Sequence, residues 1–147
     1  MVLLPTDSGL EQVYPIVEIF HSIQGEGYHA GEASVFIRFG RCNLRCPWCD
    51  TEFDEWEDMT LGQLIDAVTR FDCDRVILTG GEPALQDLPS LCNSLKALGY
   101  YISIETNGTI ALPTGIIDWV CVSPKHQNDF IIKRGDELKL IFPQKKI

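Results

Sequence analysis

Ten residues, Cys42 to Thr51, constrain this chain more than any other stretch. They read Cys-Asn-Leu-Arg-Cys-Pro-Trp-Cys-Asp-Thr, so Cys42, Cys46 and Cys49 fall within eight positions. One loop can bring three thiolates so spaced to a single inorganic centre. A structural zinc site is closed by four Cys or His ligands, and an electron-carrier cluster takes four thiolates. Three ligands leave a coordination position open for chemistry. Burial as ordinary core thiols is the plainer alternative, but Arg41, Asn43, Arg45, Pro47 and Asp50 make the segment too polar and turn-rich for a packed core element. A zinc site closed from a distance is the other, with His21, His29, His126, Cys73, Cys92 and Cys121 as available fourth ligands. Cys73, Cys92 and Cys121 each fall in or beside an apolar pattern and read as core cysteines.

Composition narrows the partner. Twelve Lys and Arg against 21 Asp and Glu give a net charge of -9, which argues against a general nucleic-acid surface or binding to an anionic membrane. A small molecule or another protein is the expected partner. No run approaches the ~20 apolar residues of a membrane span, and the apolar start Met1 to Pro5 is too short for a signal-peptide core. The expected location is cytoplasmic, where clustered cysteines point to metal or catalysis rather than disulfides.

Along the chain, residues 1 to 12 show no periodicity and read as a loose lead-in. Pro15 to Ile23 reads as extended structure that stops at Gln24-Gly25-Glu26-Gly27. Ser34 to Gly40 is a strand with Arg38 as a charge inside it, which must be paired by a protein carboxylate or an anionic ligand. Thr60 and Gln63 form a capping box for a helix whose apolar face is Leu61, Leu64, Ile65, Val68 and Phe71. Arg75 to Thr79 is the next strand, ending at Gly80-Gly81-Glu82-Pro83. Asp87 caps a second helix with the stripe Leu88, Leu91, Cys92, Leu95 and Leu98, stopped by Gly99. Tyr101 to Glu105, Trp119 to Ser123 and Glu137 to Phe142 complete five strands counted from Ser34. Two strand-helix-strand repeats followed by two more strands predict an α/β protein with a parallel sheet. The cysteine loop, Gly80 to Pro83, Glu105 to Gly108 and Ser123 to Lys125 each follow a strand, and the carboxyl ends of parallel strands share one edge, so these motifs should converge.

The Cys-x3-Cys-x2-Cys loop, with an aromatic residue before the last Cys and Gly-Gly-Glu-Pro after the next strand, resembles the radical S-adenosylmethionine superfamily. Within it the chain is similar to the 7-carboxy-7-deazaguanine synthase family, on Phe20 to Gly27, Phe36 to Phe39, Cys49-Asp50-Thr51, Thr79 to Pro83, Glu105 to Gly108 and Ser123-Pro124-Lys125. The resemblance implies a partial TIM-type barrel, a 4Fe-4S cluster on Cys42, Cys46 and Cys49, and S-adenosylmethionine beside Trp48, Cys49, Asp50, Gly80, Gly81, Glu82, Ser123, Pro124 and Lys125. It further implies that Ile23, Gln24, Gly25, Arg38 and Thr79 line a pterin, with Glu26 reaching its ring and Mg2+ at Thr51. The implied reaction is ring contraction of 6-carboxy-5,6,7,8-tetrahydropterin to 7-carboxy-7-deazaguanine with loss of ammonia, in queuosine and deazapurine biosynthesis. A flavodoxin or ferredoxin would be the electron donor and a homodimer the assembly.

One departure is expected to matter. The family pattern continues past a strand like Glu137 to Phe142, so the sequence reads as a single radical S-adenosylmethionine domain over residues 1 to 147 that is truncated at its C-terminal side. Two alternatives share the cysteine loop: an activase of a glycyl-radical enzyme, and a non-catalytic iron-sulfur or zinc binding module. The activase would not need Gln24-Gly25-Glu26 or the placement of Arg38.

Overall fold

The computed structural model describes residues 12–125 and 131–143. His126 and all of the expected lead-in except Gln12 lie outside them. Seven strands form one sheet: β1 (Val13–Ile23), β2 (Ala33–Phe39), β3 (Glu57–Thr60), β4 (Arg75–Gly80), β5 (Tyr101–Thr106), β6 (Trp119–Val122) and β7 (Glu137–Leu138). Their order is β3-β1-β2-β4-β5-β6-β7. From β2 to β7 all neighbours run parallel, and β1 is antiparallel to both β2 and β3. The expected α/β architecture with five parallel strands is therefore present, extended at one edge by an antiparallel pair.

Helix α1 (Leu61–Thr69) crosses from β3 to β4 and α2 (Leu88–Ala97) crosses from β4 to β5. α1 starts where the capping box expects it. Gln63 N–H donates to the Thr60 hydroxyl at 3.2 Å, and Thr60 N–H donates back to Gln63 Oε1 at 2.9 Å, satisfying two of the donors that a helix start leaves unpaired. α2 begins at Asp87, whose carboxylate accepts from Ser90 N–H at 3.2 Å. It ends one residue before Leu98, which is 55% exposed and leaves the apolar stripe. Gly99 follows at φ +87, the left-handed stop that glycine adopts without a Cβ clash.

The two-residue period of a strand divides this sheet into a core face and a site face. Val35, Ile37, Phe39, Val76, Leu78, Ile102 and Ile104 are fully buried and pack in one cluster with Leu64, Val68, Leu91 and Leu95 of the helices. The alternate residues Phe36, Arg38, Thr79 and Glu105 turn the other way and line a cavity. Truncating a fully buried leucine of the core cluster, such as Leu64, to Ala would cost about 2–5 kcal/mol.

Three elements differ from the sequence reading. β3 pairs with Val13 to Ile16 of β1, although Glu-Asp-Met-Thr carries no strand pattern of its own. The last strand is confined to Glu137–Leu138, and Leu140, Ile141 and Phe142 beyond it are exposed. Cys73 is only half-buried, its thiol directed to the carbonyl oxygens of Ala33 and Arg75. Cys92 and Cys121 are buried as expected, and burial pushes their thiols up to about 12 and about 11.

Candidate active site

The loops after β2, β4, β5 and β6 meet at the carboxyl edge of the sheet around a cavity of about 740 Å³. Cys42, Cys46 and Cys49 all line it and all are free thiols. Burial pushes the Cys42 thiol up, as does the negative charge of Glu82. Burial also raises the Cys46 thiol, against the opposing pull of the Lys125 ammonium. Metal ligation takes the thiolate form, so loading this site would release the thiol protons. Among the described residues no three His, Cys, Asp or Glu converge on a single-ion position. Three of the alternative fourth ligands lie away from the loop: His21 packs on Phe71, His29 on Tyr101 and Trp119, and Cys73 lies at the opposite end of the strands.

Gly80 and Gly81 are required by backbone approach. Gly80 has φ +125 and a Cβ there would overlap the Phe39 backbone, while one at Gly81 would overlap the Arg41 carbonyl oxygen. That closeness allows Gly81 N–H to donate to Phe39 O at 3.0 Å and Glu82 N–H to Arg41 O at 2.9 Å. The Gly-Gly pair thus clamps the root of the cysteine loop and still lines the cavity. Glu82, expected beside S-adenosylmethionine, is not among the residues that line the cavity. It is 0% exposed, and its carboxylate accepts from Thr106 Oγ1 at 2.7 Å, Asn107 N–H at 2.7 Å and Ala84 N–H at 3.0 Å. These bonds join the turn after β4 to the turn after β5.

Trp48, Asp50 and Thr51 line the cavity. The Trp48 indole N–H is buried with no hydrogen-bond partner among the described residues. Ser123 and Lys125 also line it and are joined by a 2.8 Å hydrogen bond from the ammonium, with Pro124 between them in sequence.

The residues expected to face a pterin also lie together. Ile23, Gln24, Gly25, Glu26, Arg38 and Thr79 all reach the cavity. Register sets Glu18, Arg38 and Thr79 in one row across β1, β2 and β4. Arg38 Nε donates to Glu18 Oε1 at 2.7 Å, so a protein carboxylate takes one edge of the guanidinium and the group still lines the cavity. Phe20 and Phe36 stack with centroids 4.9 Å apart and an interplanar angle of 1°, giving the wall a flat apolar panel.

Four residues here have contacts that sequence reasoning did not assign. Glu18 becomes visible only through strand register. Glu105 accepts from Gln24 Nε2 at 3.2 Å and Thr79 Oγ1 at 3.3 Å. Asn107 ties the cysteine loop to β5. Lys139 reads in sequence as a blunting charge on an edge strand, and in the structure it lines the cavity. A charge at mid-strand, two positions from Glu137, was the available signal.

Comparison with known proteins agrees with this geometry. Residues 36–135 match the family model described as the radical SAM superfamily. The chain is 46% identical to the 7-carboxy-7-deazaguanine synthase of Bradyrhizobium diazoefficiens, covering 89% of this chain and 72% of the relative. It is 48% identical to that of Bacteroides thetaiotaomicron, covering 86% and 69%, and 45% identical to that of Haemophilus influenzae, covering 78% and 54%. The crystal structure of QueE from Escherichia coli superposes with a TM-score of 0.75 at 32% identity, over 84% of this chain and 66% of that one. The chain thus spans roughly half to three-quarters of the length of the proteins it matches. With a superfamily match across residues 36–135, a superposable fold and identity at this level over most of its residues, the chain belongs to the 7-carboxy-7-deazaguanine synthase family of the radical S-adenosylmethionine superfamily.

Proposed function

We propose that this chain carries out the radical ring contraction of 6-carboxy-5,6,7,8-tetrahydropterin to 7-carboxy-7-deazaguanine with loss of ammonia. The observation that supports it is a single cavity shared by three free thiols and by Arg38, Gln24 and Thr79. Three soft thiolates suit an iron-sulfur cluster. Cys42, Cys46 and Cys49 would hold it, and the unpartnered Trp48 N–H is a donor that the loop reserves for a bound group. When bound, the cluster and S-adenosylmethionine supply the one-electron chemistry, which belongs to the cofactors.

The chain's own residues bind and orient. Trp48, Asp50, Gly80, Gly81 and the Ser123 to Lys125 segment would hold S-adenosylmethionine, while Glu82 fixes the turns that carry them. Arg38, with Nε engaged by Glu18, keeps a fixed guanidinium for the substrate carboxylate, the pairing for which its planar fork is suited. Gln24 and Thr79 supply amide and hydroxyl groups, and the Phe20 and Phe36 rings a flat apolar surface for a bicyclic substrate. Mg2+ at Thr51, a flavodoxin or ferredoxin as electron donor, and a homodimer complete the proposal.

The test is anaerobic reconstitution with iron and sulfide, spectra with and without S-adenosylmethionine, then turnover with the carboxytetrahydropterin. Product formation is expected, and replacing any one of Cys42, Cys46 or Cys49 by Ala should abolish reductive cleavage of S-adenosylmethionine. Cleavage without conversion of the pterin would instead favour an activase of a glycyl-radical enzyme.

A further inference from the structure

Lys139 lies one residue past β7, and nothing above gives it a role. Its ammonium stands 2.6 Å from Glu26 Oε2 and 3.9 Å from Glu105 Oε2. Burial alone would lower its pKa, but the two glutamates outweigh burial and raise it, so the ammonium stays charged. Glu105 is otherwise held by Gln24 and Thr79, and all five residues line the cavity. Two positions earlier, Glu137 accepts from the Trp119 indole N–H at 3.1 Å. Its carboxylate fits against Gly27, where a Cβ would overlap it and φ is +74. The segment Gln24 to Gly27 is therefore pinned at two points on the Glu137 to Lys139 segment. Without Lys139, the Glu26 and Glu105 carboxylates would share one wall with no cation between them.

We propose that Lys139 is a positioning residue that holds the Glu26 and Glu105 carboxylates, through one ammonium, in the wall of the cavity that takes the pterin. The inference rests on the function proposed above. An ammonium is a compact charge with three rotatable donors, so it can serve two carboxylates approaching from a loop and from a strand. Arginine at this position would keep the charge but present a planar fork, and should restore the arrangement only in part.

The test compares Lys139→Met, Lys139→Arg and the wild type as the cluster-loaded full chain. Without substrate, amide hydrogen exchange over residues 23 to 32 should quicken on the order of tenfold in Lys139→Met, because the ion pair to Glu26 closes that segment. With the carboxytetrahydropterin, KM should rise on the order of tenfold while kcat falls less. Lys139→Arg should recover most of the exchange protection and part of KM. Glu26→Gln, which removes the same pair from the other side, should reproduce the faster exchange. Wild-type exchange and KM in Lys139→Met would overturn the inference, as would an arginine variant no better than the methionine one. A wild type that fails to turn over the pterin would sink the proposed function, whereas the exchange comparison would still decide whether Lys139 holds the segment.

Discussion

Asn43 in the cysteine loop and Asn107 at the end of β5 are joined side chain to side chain, Asn107 Nδ2 donating to Asn43 Oδ1 at 3.0 Å. Thr109 closes the group: Asn43 Nδ2 donates to its hydroxyl at 2.8 Å, and that hydroxyl donates to Asn107 Oδ1 at 2.7 Å. The loop carrying the three thiols is thereby moored to a turn that Glu82 also holds. Replacing Asn107 by Leu removes the mooring and the acceptor of Thr109, at a cost of about 0.5–1.5 kcal/mol. The expected result is iron release to a chelator several times faster than in the wild type, by roughly the factor such an energy implies. Equal release rates would mean that the loop holds itself.

Gly81 and Gly99 offer a paired comparison. At Gly99 nothing lies within 4 Å of an added Cβ, so alanine suffers only the left-handed backbone strain, about 1–2 kcal/mol. At Gly81 the Cβ would overlap the Arg41 carbonyl oxygen and force apart the residues that root the cysteine loop. Gly81→Ala should therefore lower the thermal midpoint well beyond Gly99→Ala and also reduce cluster content on reconstitution. A Gly81→Ala protein that loads iron like the wild type would show that the clamp is dispensable.

What could be read from sequence was what is decided locally. The capping box of Thr60 and Gln63, the stop at Gly99 and the strand Ser34 to Gly40 are set by neighbours within a few residues, and each is present, the strand within one residue at each end. The meeting of the cysteine loop with Gly80, Gly81, Ser123 and Lys125 followed from parallel topology alone. Contacts that depend on register were not legible. Glu18 faces Arg38 because of a bulge between Ile16 and Glu18, and β3 exists because β1 offers it an edge. The partners of Glu82 were not legible either, because a carboxylate beside a motif carries no mark of which way it turns. Only the structure shows its oxygens facing Thr106, Asn107 and Ala84.

The same Glu82 makes a pH-dependent prediction. Burial raises its carboxyl above the ordinary 4.5, opposed by hydrogen bonds from Asn107, Thr106 and Ala84. The folded chain therefore binds this proton more tightly than the unfolded one. The resulting stabilisation is complete below the unfolded value and is lost as pH rises through the higher folded value. Glu82→Gln removes that dependence and leaves one of the Ala84 and Asn107 N–H groups facing an NH2, at about 1–3 kcal/mol. Thermal midpoints measured upward from pH 4.5 should show the variant less stable at the acidic end, with the gap narrowing as pH rises. A gap that widens with pH would show that the hydrogen bonds outweigh burial.

Thr51 carries the last prediction, that turnover depends on Mg2+ through its hydroxyl. Thr51 lines the cavity and donates a long hydrogen bond, 3.3 Å, to Asp50 Oδ1. With the proton directed at Asp50, the oxygen lone pairs are left for a cation. Mg2+ takes oxygen ligands in an octahedral shell, sheds water reluctantly and commonly completes its shell from a substrate, so one protein hydroxyl is a sufficient anchor. The rate should therefore saturate with Mg2+. Thr51→Ala should raise the half-saturating concentration on the order of tenfold, a loss of about 1.4 kcal/mol of binding. Thr51→Ser, which keeps the oxygen and loses only a methyl group, should stay near the wild type, separating ligation from packing. Because Thr51 lies two positions from Cys49, cluster content must be matched across the variants before rates are compared. Equal rates in chelator and in Mg2+, at matched cluster content, would remove the ion from the reaction and leave Thr51 as a turn residue bonded to Asp50.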